Sequence, residues 1–363
     1  CASSLAAIDV AVKQLKTHTT DIVITGGMDA DLAPETFLMF SKAKVHARGK
    51  TCYPFDKNTT GIIQGEGSVI FVLKRLIDAI SDNDKIHGII KSCSAVSDGR
   101  KGSLFSTSTE GQLRSLKKAY GNSNLNKINY LECHGTGTKL GDKTELETLN
   151  QFLKNTNKKT PIGSVKALIG HTQGAAASAS LLKCLLATKY KIIPPSPYFN
   201  EFPAEVEKLY VNNGPVHLAN RDLTFGISSF GFGGINYHLV LESYTNQESK
   251  IIQNTKRKEI VVIAESFVRK EEMPEFEKYN FAIPPKALES IDELQLQSLM
   301  ATSKAFKSSK IQEYLLNKDS ISVFSASCIG TDTAENLSRR LRHFELYEIF
   351  GHNQETDQII LHK

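Results

Sequence analysis

The sequence predicts an α/β protein, because short apolar runs that end in glycine alternate along the chain with stretches of helical period. Residues 21–29 and 68–74 form compact apolar runs of strand type, whereas residues 1–15 place apolar side chains at positions 5, 8, 12 and 15. The length of 363 residues allows about two domains, and 40% hydrophobic residues suffices for a sizeable core.

Hydropathy and charge bear on where the protein resides and what it binds. No stretch reaches the roughly 18 apolar residues of a membrane span, and the first residues lack a signal-peptide pattern, so we expect a cytoplasmic protein. The net charge of +5 comes without arginine clusters, so it is weak evidence for nucleic acid and suits an acidic protein partner about equally well; we expect no nucleic-acid partner. The chain begins with Cys1 rather than Met, so we expect it to be a piece of a longer product.

The six cysteines are scattered, with no Cys-x-x-Cys pair and no histidine spacing that would build a zinc site. We therefore predict no metal site, and we expect most of the thiols to be buried. Cys1 differs from the others because it precedes the first predicted helix. The helix dipole would favour its thiolate there, although a small inert buried residue is the alternative.

The next elements continue the alternation. A glycine-rich loop at 61–67 feeds the strand at 68–74, and a phosphate-binding loop is disfavoured because no Gly-Lys-Ser/Thr and no helix follow. We predict a strand at 86–94, a turn at 97–99 and a helix at 111–120.

The central stretch runs from Tyr130 to Glu145. A short strand delivers His134 to a loop of small residues, Gly135 to Thr138, and a helix starts near Asp142. A histidine at a strand end beside a glycine-rich loop is typical of an active site. The alternative is that His134 only caps a turn.

A second histidine follows the same pattern. We predict a strand at 161–165, then Lys166, and then His171 at a strand end before a helix that begins near Gly174. Small residues at 174–180 predict a helix that crosses a neighbour closely. Strands at 208–212, 223–229 and 235–242 follow.

The loop at 230–234 lies between the last two of these strands. Its glycines permit unusual backbone geometry, and Phe232 could act as an apolar gate or present its N–H to a reacting oxygen. A tight hairpin with core phenylalanines is the alternative.

A polar stretch at 244–258 predicts a linker, so we divide the chain into residues 1–248 and residues 249–363. In the second part we predict an apolar run at 260–264, a helix at 293–306 and a strand at 320–325, with no catalytic constellation.

Four motifs occur in a family-specific order: Cys1-Ala-Ser-Ser, His134-Gly-Thr-Gly-Thr138, Lys166-x-x-x-Gly170-His171, and Gly231-Phe232-Gly233-Gly234 with Asn236. Together they resemble the β-ketoacyl synthases of the thiolase superfamily, in the form found in polyketide and polyunsaturated-fatty-acid synthases. Ala177 departs from this pattern, which usually has glycine there.

The resemblance implies a thiolase-like layered fold (α-β-α-β-α) whose first half is largely missing before Cys1. Strands of the remaining half would then have open edges, and the apolar face of the first helix would be exposed. We therefore expect residues 1–363 alone to be inactive and poorly folded. The segment around Phe281-x-Ile-Pro-Pro-Lys286 resembles the early part of a second synthase unit, of a chain-length-factor-like kind, with a core of its own.

The resemblance also implies the chemistry. Cys1 would accept an acyl chain, His134 and His171 would stabilise the enolate formed from a malonyl thioester, and Lys166 would hold the site together. The N–H of Phe232, flanked by Gly231 and Gly233, would contribute to an oxyanion hole.

Substrates in this family arrive on the 4'-phosphopantetheine of an acyl carrier protein, and Thr136 and Thr138 would contact them. No cofactor would be bound by the chain itself. A homodimer or a tandem pairing of units is implied, and Glu132 or Glu145 could join the network of Lys166.

Two rival functions remain. A non-catalytic chain-length-determining partner usually lacks the nucleophile, whereas Cys1 is present here. A CoA-dependent thiolase would use a second cysteine near the final glycine loop, where this chain has Phe230 and Phe232.

Overall fold

The computed structural model describes residues 1–98, 106–219, 222–245, 260–268, 272, 293–309 and 321–324. Within these ranges the helices are α1 (Ser3–Lys16), α2 (Pro34–Lys42), α3 (Leu76–Ser81), α4 (Thr109–Tyr120), α5 (Lys139–Phe152), α6 (Lys166–Ile169), α7 (Ala176–Tyr190) and α8 (Glu293–Ser309). Short 3-10 turns occur at Leu125–Lys127 and Gln173–Ala175.

The strands follow the predicted alternation with the helices. They are β1 (Ile22–Asp29), β2 (Gly67–Arg75), β3 (Gly88–Ser97), β4 (Ile128–Glu132), β5 (Thr160–Gly163), β6 (Ile192–Ile193), β7 (Leu209–Val211), β8 (Val216–His217), β9 (Thr224–Gly231), β10 (Ile235–Glu242), β11 (Ile260–Val268) and β12 (Ile321–Phe324).

Ten strands form one mixed sheet in the order β12-β1-β2-β11-β3-β10-β9-β4-β5-β7. Strands β4, β5, β7 and β9 pair in parallel, whereas β10 runs antiparallel to both β9 and β3. Parallel neighbours need helical crossovers, and α5 and α7 supply them. The α/β class is confirmed.

Helix α1 is buried against the sheet. Its four apolar positions, Leu5, Ile8, Val12 and Leu15, join a core that also contains residues of α7 and of several strands. A second core on another part of the sheet includes Met300 of α8. The expectation that this chain exposes the apolar face of α1 is therefore wrong.

The close approach of α7 to α1 and β1 depends on small side chains. A Cβ at Gly27 would lie 2.5 Å from the Gly174 carbonyl oxygen, and the Ser178 N–H donates to Ser4 Oγ across 3.1 Å. The predicted crossing of small-residue faces is present, and it fixes the segment that follows His171 against α1.

Several boundaries differ from the sequence prediction. Helix α5 begins at Lys139, before Asp142, and α6 separates β5 from His171, so this histidine follows a helical turn rather than a strand end. Helix α2 was not predicted, although Pro34 at its first turn has a fixed φ that suits a helix start.

The second part of the chain does not have a core of its own within the described residues. Strand β11 lies between β2 and β3, and α8 packs on the same sheet. Both edges of β2 are consequently paired, with β1 and with β11. Gly99, residues 246–258 of the predicted linker and the Phe281–Lys286 segment lie outside the described residues.

Among the helices that the structure describes, none is both long enough and apolar enough to cross a membrane.

Candidate active site

A cavity of about 360 Å³ opens where α1 begins and where the loops after β4 and β9 meet. Seven of the predicted site residues line it: Cys1, His134, Thr136, Thr138, His171, Gly231 and Phe232. Lys166 lies behind His134, and Gly233 occupies the turn between β9 and β10. Segments that are far apart in the sequence thus meet at one cavity.

Cys1 stands immediately before α1 and is half-buried. The Ser229 hydroxyl donates to the Cys1 carbonyl oxygen across 3.0 Å, which ties the residue to β9. The Cys1 Sγ lies 3.9 Å from Gln173 Oε1. The backbone of Cys1 is therefore held in place while its side chain faces the cavity.

The His134 loop is organised by one carboxylate. Glu145 accepts the His134 N–H at Oε1 and the Gly135 N–H at Oε2, both across 2.8 Å. Gly135 has a φ of 37°, and a Cβ there would lie 2.7 Å from the Ser164 Cβ, so this position requires glycine. Glu145 thereby fixes the direction in which the chain leaves β4.

Hydrogen bonding determines which nitrogen of His171 carries the proton. The Gln173 N–H donates to His171 Nδ1 across 3.1 Å, so this nitrogen is an acceptor and the neutral ring carries its proton on Nε2. Nε2 is buried and has no hydrogen-bond partner among the described residues. A buried donor without a partner is costly, which suits a site that binds a ligand oxygen.

Both imidazoles are held neutral. Burial, reinforced by the positive charge of Lys166, lowers the pKa of His134 and of His171 well below the ordinary value of 6.5. The two rings are 5.7 Å apart between centroids and nearly perpendicular. Two neutral imidazoles that face one cavity can donate hydrogen bonds to a developing oxyanion.

The same cluster has the composition of a metal site, since ligand atoms of Cys1, His134 and His171 lie within 4.8 Å of one another. The bond from the Gln173 N–H occupies Nδ1 of His171, and Nε2 carries the proton. Metal ligation by this ring would require breaking that arrangement, so the hydrogen bonding favours a donor role over a ligand role.

Lys166 supports His134 from behind. Its Nζ donates to the His134 carbonyl oxygen across 2.7 Å, and the side chain is fully buried. Burial lowers the pKa of Lys166, while Glu132, Glu145 and Asp142 oppose this shift. Lys166 contacts backbone here rather than the cavity, which indicates a positioning role.

A second carboxyl, from Asp142, completes the support of the loop. Asp142 accepts the Phe55 N–H across 2.7 Å and the Gly137 N–H across 3.1 Å, and burial raises the pKa of Asp142 to about 7. Burial likewise raises the pKa of Glu145 to about 7. These groups hold backbone N–H donors and do not face the cavity.

Glu132 anchors the end of β4. It accepts hydrogen bonds from the Tyr130 hydroxyl and from Lys183 Nζ, each across 2.7 Å, and from the Val165 N–H across 2.6 Å. These contacts join β4, α6 and α7, the three elements on which His134 and His171 depend.

The glycine-rich loop is a tight hairpin turn, as one interpretation of its sequence predicted, and it also borders the cavity. Gly233 and Gly234 have φ values of 87° and 78°, which glycine tolerates without strain. The Phe230 ring is buried 5.6 Å from the His134 ring, whereas Phe232 is 44% exposed at the cavity mouth.

Thr136 and Thr138 lie on the opposite wall. Their hydroxyl oxygens are 3.0 Å apart, and both side chains border the entrance together with Lys139 and Leu140. This pair presents a polar, hydrogen-bonding surface beside the two histidines.

The sequence analysis missed Gln173 and Asp98. Gln173 has a φ of 38°, an uncommon value for a residue with a side chain. Asp98 accepts a hydrogen bond from Asn236 Nδ2 across 2.7 Å, and its own N–H donates to the Gly234 carbonyl oxygen. The position of Gln173 two residues after His171 was the available signal, whereas Asp98 is brought close only by the pairing of β3 with β10.

Comparison with known protein families shows which family this chain belongs to. Residues 1–79 and 242–356 match the sequence model of the β-ketoacyl synthase N-terminal domain, and residues 87–200 match that of the C-terminal domain. The chain belongs to the β-ketoacyl synthase family. The predicted family membership and thiolase-like fold are therefore confirmed.

Curated relatives of this chain are much longer proteins. It is 33% identical over 283 residues to a polyunsaturated fatty acid synthase of Thraustochytrium sp., covering 72% of the chain but 10% of that protein. It is 32% identical over 250 residues to a phenolphthiocerol/phthiocerol polyketide synthase of Mycobacterium tuberculosis, covering 67% of the chain and 16% of the relative.

Solved structures agree. The ketosynthase of module 6 of the bacillaene synthase from Bacillus subtilis superposes with a TM-score of 0.65 at 35% identity, over 67% of this chain and 45% of that one. The PfaC ketosynthase–chain length factor gives a TM-score of 0.63 at 32% identity, over 68% of this chain and 27% of the other. The chain described here covers less than half the length of either of these solved structures.

Proposed function

We propose that this chain supplies the catalytic residues of a decarboxylative Claisen condensation in polyketide or fatty-acid biosynthesis. One observation carries the proposal: ligand atoms of Cys1, His134 and His171 lie within 4.8 Å of one another beside a cavity. A nucleophile and two neutral hydrogen-bond donors are the groups that this reaction requires.

In the first step the Cys1 sulfur, after loss of its proton, attacks the carbonyl carbon of an acyl thioester. The tetrahedral oxyanion accepts hydrogen bonds from the N–H groups of Cys1 and Phe232, and the carrier thiol leaves. The position of Cys1 at the start of α1 supports this role, because the N–H groups and dipole of a helix N-terminus favour negative charge.

In the second step a malonyl thioester loses its carboxylate as CO₂. The electron pair of the broken carbon–carbon bond moves into an enolate, whose oxygen accepts hydrogen bonds from His134 and His171. The Nε2 proton of His171, fixed by the Gln173 N–H, is available for this purpose.

In the third step the enolate carbon attacks the acyl carbonyl on Cys1. The new carbon–carbon bond forms, the tetrahedral intermediate collapses, and the Cys1 sulfur leaves. Both imidazoles remain neutral through the sequence, because burial keeps their pKa values low.

We propose that the substrates arrive as 4'-phosphopantetheine thioesters on an acyl carrier protein, with Thr136 and Thr138 contacting the arm at the cavity mouth. The polar pair at the entrance supports this placement. The chain itself would bind no cofactor. A dimeric or tandem arrangement of units is proposed by analogy with the ketosynthase–chain length factor relative.

We further propose that residues 249–363 begin a second ketosynthase-like unit, because residues 242–356 match the N-terminal domain of the family although they follow the match to the C-terminal domain in the chain. The boundary would fall in the polar stretch at 244–258. We assign condensing activity to the longer synthase, since the chain covers 10% of its polyunsaturated-fatty-acid synthase relative.

The proposal predicts a split between two half-reactions in the complete synthase. Cys1→Ala should abolish condensation but leave malonyl decarboxylation measurable, because the two histidines stabilise the enolate without the thiol. His134→Ala and His171→Ala should each slow decarboxylation by roughly 10²–10³, as expected for a lost oxyanion donor.

Release of ¹⁴CO₂ from labelled malonyl carrier protein, measured beside product formation, checks both expectations. Cys52→Ala is the matched control for the thiol, because Cys52 is buried and outside the cavity lining. Condensation at the unmodified rate in Cys1→Ala would remove Cys1 from the mechanism, and unchanged CO₂ release from both histidine variants would remove the histidines.

A further inference from the structure

The glycine-rich loop that precedes β2 takes no part in the proposed reaction, yet it forms part of the cavity wall. Residues 59–65 of this loop, called here the bridging segment, make two short strand pairings. Ile62 pairs in parallel with His46, and Gln64 pairs in parallel with His171. The bridging segment therefore joins the backbone of one proposed catalytic histidine to another part of the chain.

Two backbone hydrogen bonds fix His171 to the bridging segment. The His171 N–H donates to the Ile63 carbonyl oxygen across 2.6 Å, and the Gly65 N–H donates to the His171 carbonyl oxygen across 3.1 Å. The Gln173 N–H holds Nδ1 of the same residue. Backbone and ring are thus both held, and the bridging segment helps to set the direction of the Nε2 proton.

The two backbones are too close to admit a side chain between them. A Cβ at Gly65 would overlap the Ile169 carbonyl oxygen. A Cβ at Gly170, where φ is 73°, would lie 2.9 Å from the Ile63 carbonyl oxygen. Glycine is required at both positions for this approach. A side chain at position 65 would push the bridging segment and His171 apart.

The bridging segment also holds the loop that follows His134. The hydroxyl of the buried Thr59 donates to the Gly137 carbonyl oxygen, and Asp142 accepts the N–H of the same glycine. A Cβ at Gly137 would lie 2.8 Å from the Gly61 carbonyl oxygen, so the backbones are in close contact here as well. One short segment therefore contacts the supports of both histidines.

We propose that the bridging segment is a positioning element that sets the separation of His134 and His171, so that both rings donate to one enolate oxygen. Two donors can share an oxyanion only if each lies about 2.7–3.1 Å from it. The two rings lie 5.7 Å apart between centroids, and each is carried by a different loop, so a common support is needed to maintain this spacing. The inference rests on the proposed function, and Thr59 and Gly65 act through the histidine backbones.

Gly65→Ala tests the contact with His171 in the complete synthase. The added methyl group displaces the histidine, and a misplacement of about 1 Å should slow malonyl decarboxylation about 10²-fold. Acyl transfer to Cys1 does not use the histidines in the proposed mechanism, so its rate should be unchanged. Gly214→Ala is the matched control, because a Cβ at Gly214 would meet no atom within 4 Å, and it should change neither rate.

Thr59→Val and Thr59→Ser test the contact with the His134 loop through smaller changes. Valine lacks the hydroxyl, so decarboxylation should slow about two- to tenfold, the effect expected for one lost hydrogen bond, while acyl transfer to Cys1 should be unchanged. Serine keeps the hydroxyl and should restore most of the rate. A general loss of structure would instead slow both reactions together.

Release of ¹⁴CO₂ from labelled malonyl carrier protein and acylation of Cys1 are measured on the same preparations, beside the unmodified synthase and His171→Ala. Slow decarboxylation with normal acylation in Gly65→Ala and Thr59→Val, with rescue by Thr59→Ser, would support the inference. If Gly65→Ala also loses acylation, the two Thr59 variants decide, and an equal loss of both reactions in Thr59→Val would overturn the inference.

The His171→Ala variant separates this inference from the proposed function. Normal decarboxylation in Gly65→Ala and Thr59→Val, beside slow decarboxylation in His171→Ala, would overturn the positioning role and leave the proposed function intact. Normal decarboxylation in His171→Ala as well would overturn the proposed role of this histidine, and the positioning role with it.

Discussion

Gln173 connects the two halves of the proposed chemistry at the residue scale. Its backbone N–H sets the tautomer of His171, and its side-chain oxygen lies 3.9 Å from the Cys1 sulfur. The residue keeps a φ of 38° to make both contacts, which indicates that the surrounding structure stabilises an otherwise unfavourable conformation.

The two contacts of Gln173 can be separated by mutation. Gln173→Ala removes the side-chain acceptor that favours the protonated thiol of Cys1 but keeps the backbone N–H, so acylation of Cys1 should become faster, by at most about two- to tenfold, the effect of one hydrogen bond of about 0.5–1.5 kcal/mol. Decarboxylation should be unchanged. Pre-steady-state acylation and CO₂ release, measured on the complete synthase, check this expectation, and an equal loss in both reactions would contradict it.

His238 is a buried histidine outside the cavity lining, and its effect is on stability. It lies in β10 with Nδ1 3.0 Å from Ser228 Oγ, and burial lowers the pKa of His238 to about 3. Because the folded state holds His238 neutral, its contribution to the free energy of unfolding is fully present above the pKa of the unfolded chain, near 6.5. This contribution is lost as the pH falls toward 3.

His238→Gln should therefore reduce the acid sensitivity of the fold. At pH 5 the unmodified chain should lose about 2 kcal/mol of unfolding free energy through this group, and the variant should not. Denaturant unfolding at pH 7.5 and 5 measures the difference. The same change at the exposed His217 is the control, and an identical pH dependence of the His238 variant and the unmodified chain would contradict the assignment.

At the scale of elements, the crossing of α1 and α7 positions the proposed catalytic groups. Cys1 precedes α1, His171 precedes α7, and the two helices share a core that contains Ala177. This alanine stands where the family pattern usually has glycine. Ala177 is 1% exposed, so the position accommodates a methyl group and has little room for a larger side chain.

Substitutions at position 177 should show this limit. Ala177→Leu should destabilise the chain by about 1–3 kcal/mol through overpacking, and Ala177→Gly by about 0.5–1 kcal/mol through backbone entropy. Thermal unfolding measures both. The control is Lys189→Leu at an exposed position of α7. An Ala177→Leu variant as stable as the unmodified chain would show that the two helices are not closely packed here.

The sequence predicted the elements that carry the site because each has a local signal. The apolar run of β4 and the glycines after His134 could be read directly, and so could the small-residue face of α7. The sequence did not predict α6 between β5 and His171, because a four-residue helix carries almost no periodic signal. Nor did it predict the contact of Asp98 with Asn236, which depends on long-range strand pairing.

At the scale of the whole molecule, the largest difference concerns the tail. Its helix and its last strand were predicted as local elements, and the apolar run at 260–264 is part of a strand, but all three were assigned to a separate core. Local periodicity defines a strand without defining its neighbours, and β11 is apolar on both faces, as expected of any central strand. The polar stretch before it predicted a boundary, whereas the strand beyond that stretch pairs back into the first sheet.

The central claim is that Cys1 is the nucleophile of this site, and acyl transfer to the protein tests it most directly. Burial raises the pKa of Cys52 to about 12, so Cys52 provides a matched thiol that should not react. The complete synthase should be incubated with an acyl thioester substrate and then digested for peptide mass analysis. We predict an acyl group on the Cys1 peptide and none on the Cys52 peptide, whereas acylation at another residue, or an unacylated Cys1 during turnover, would contradict the account.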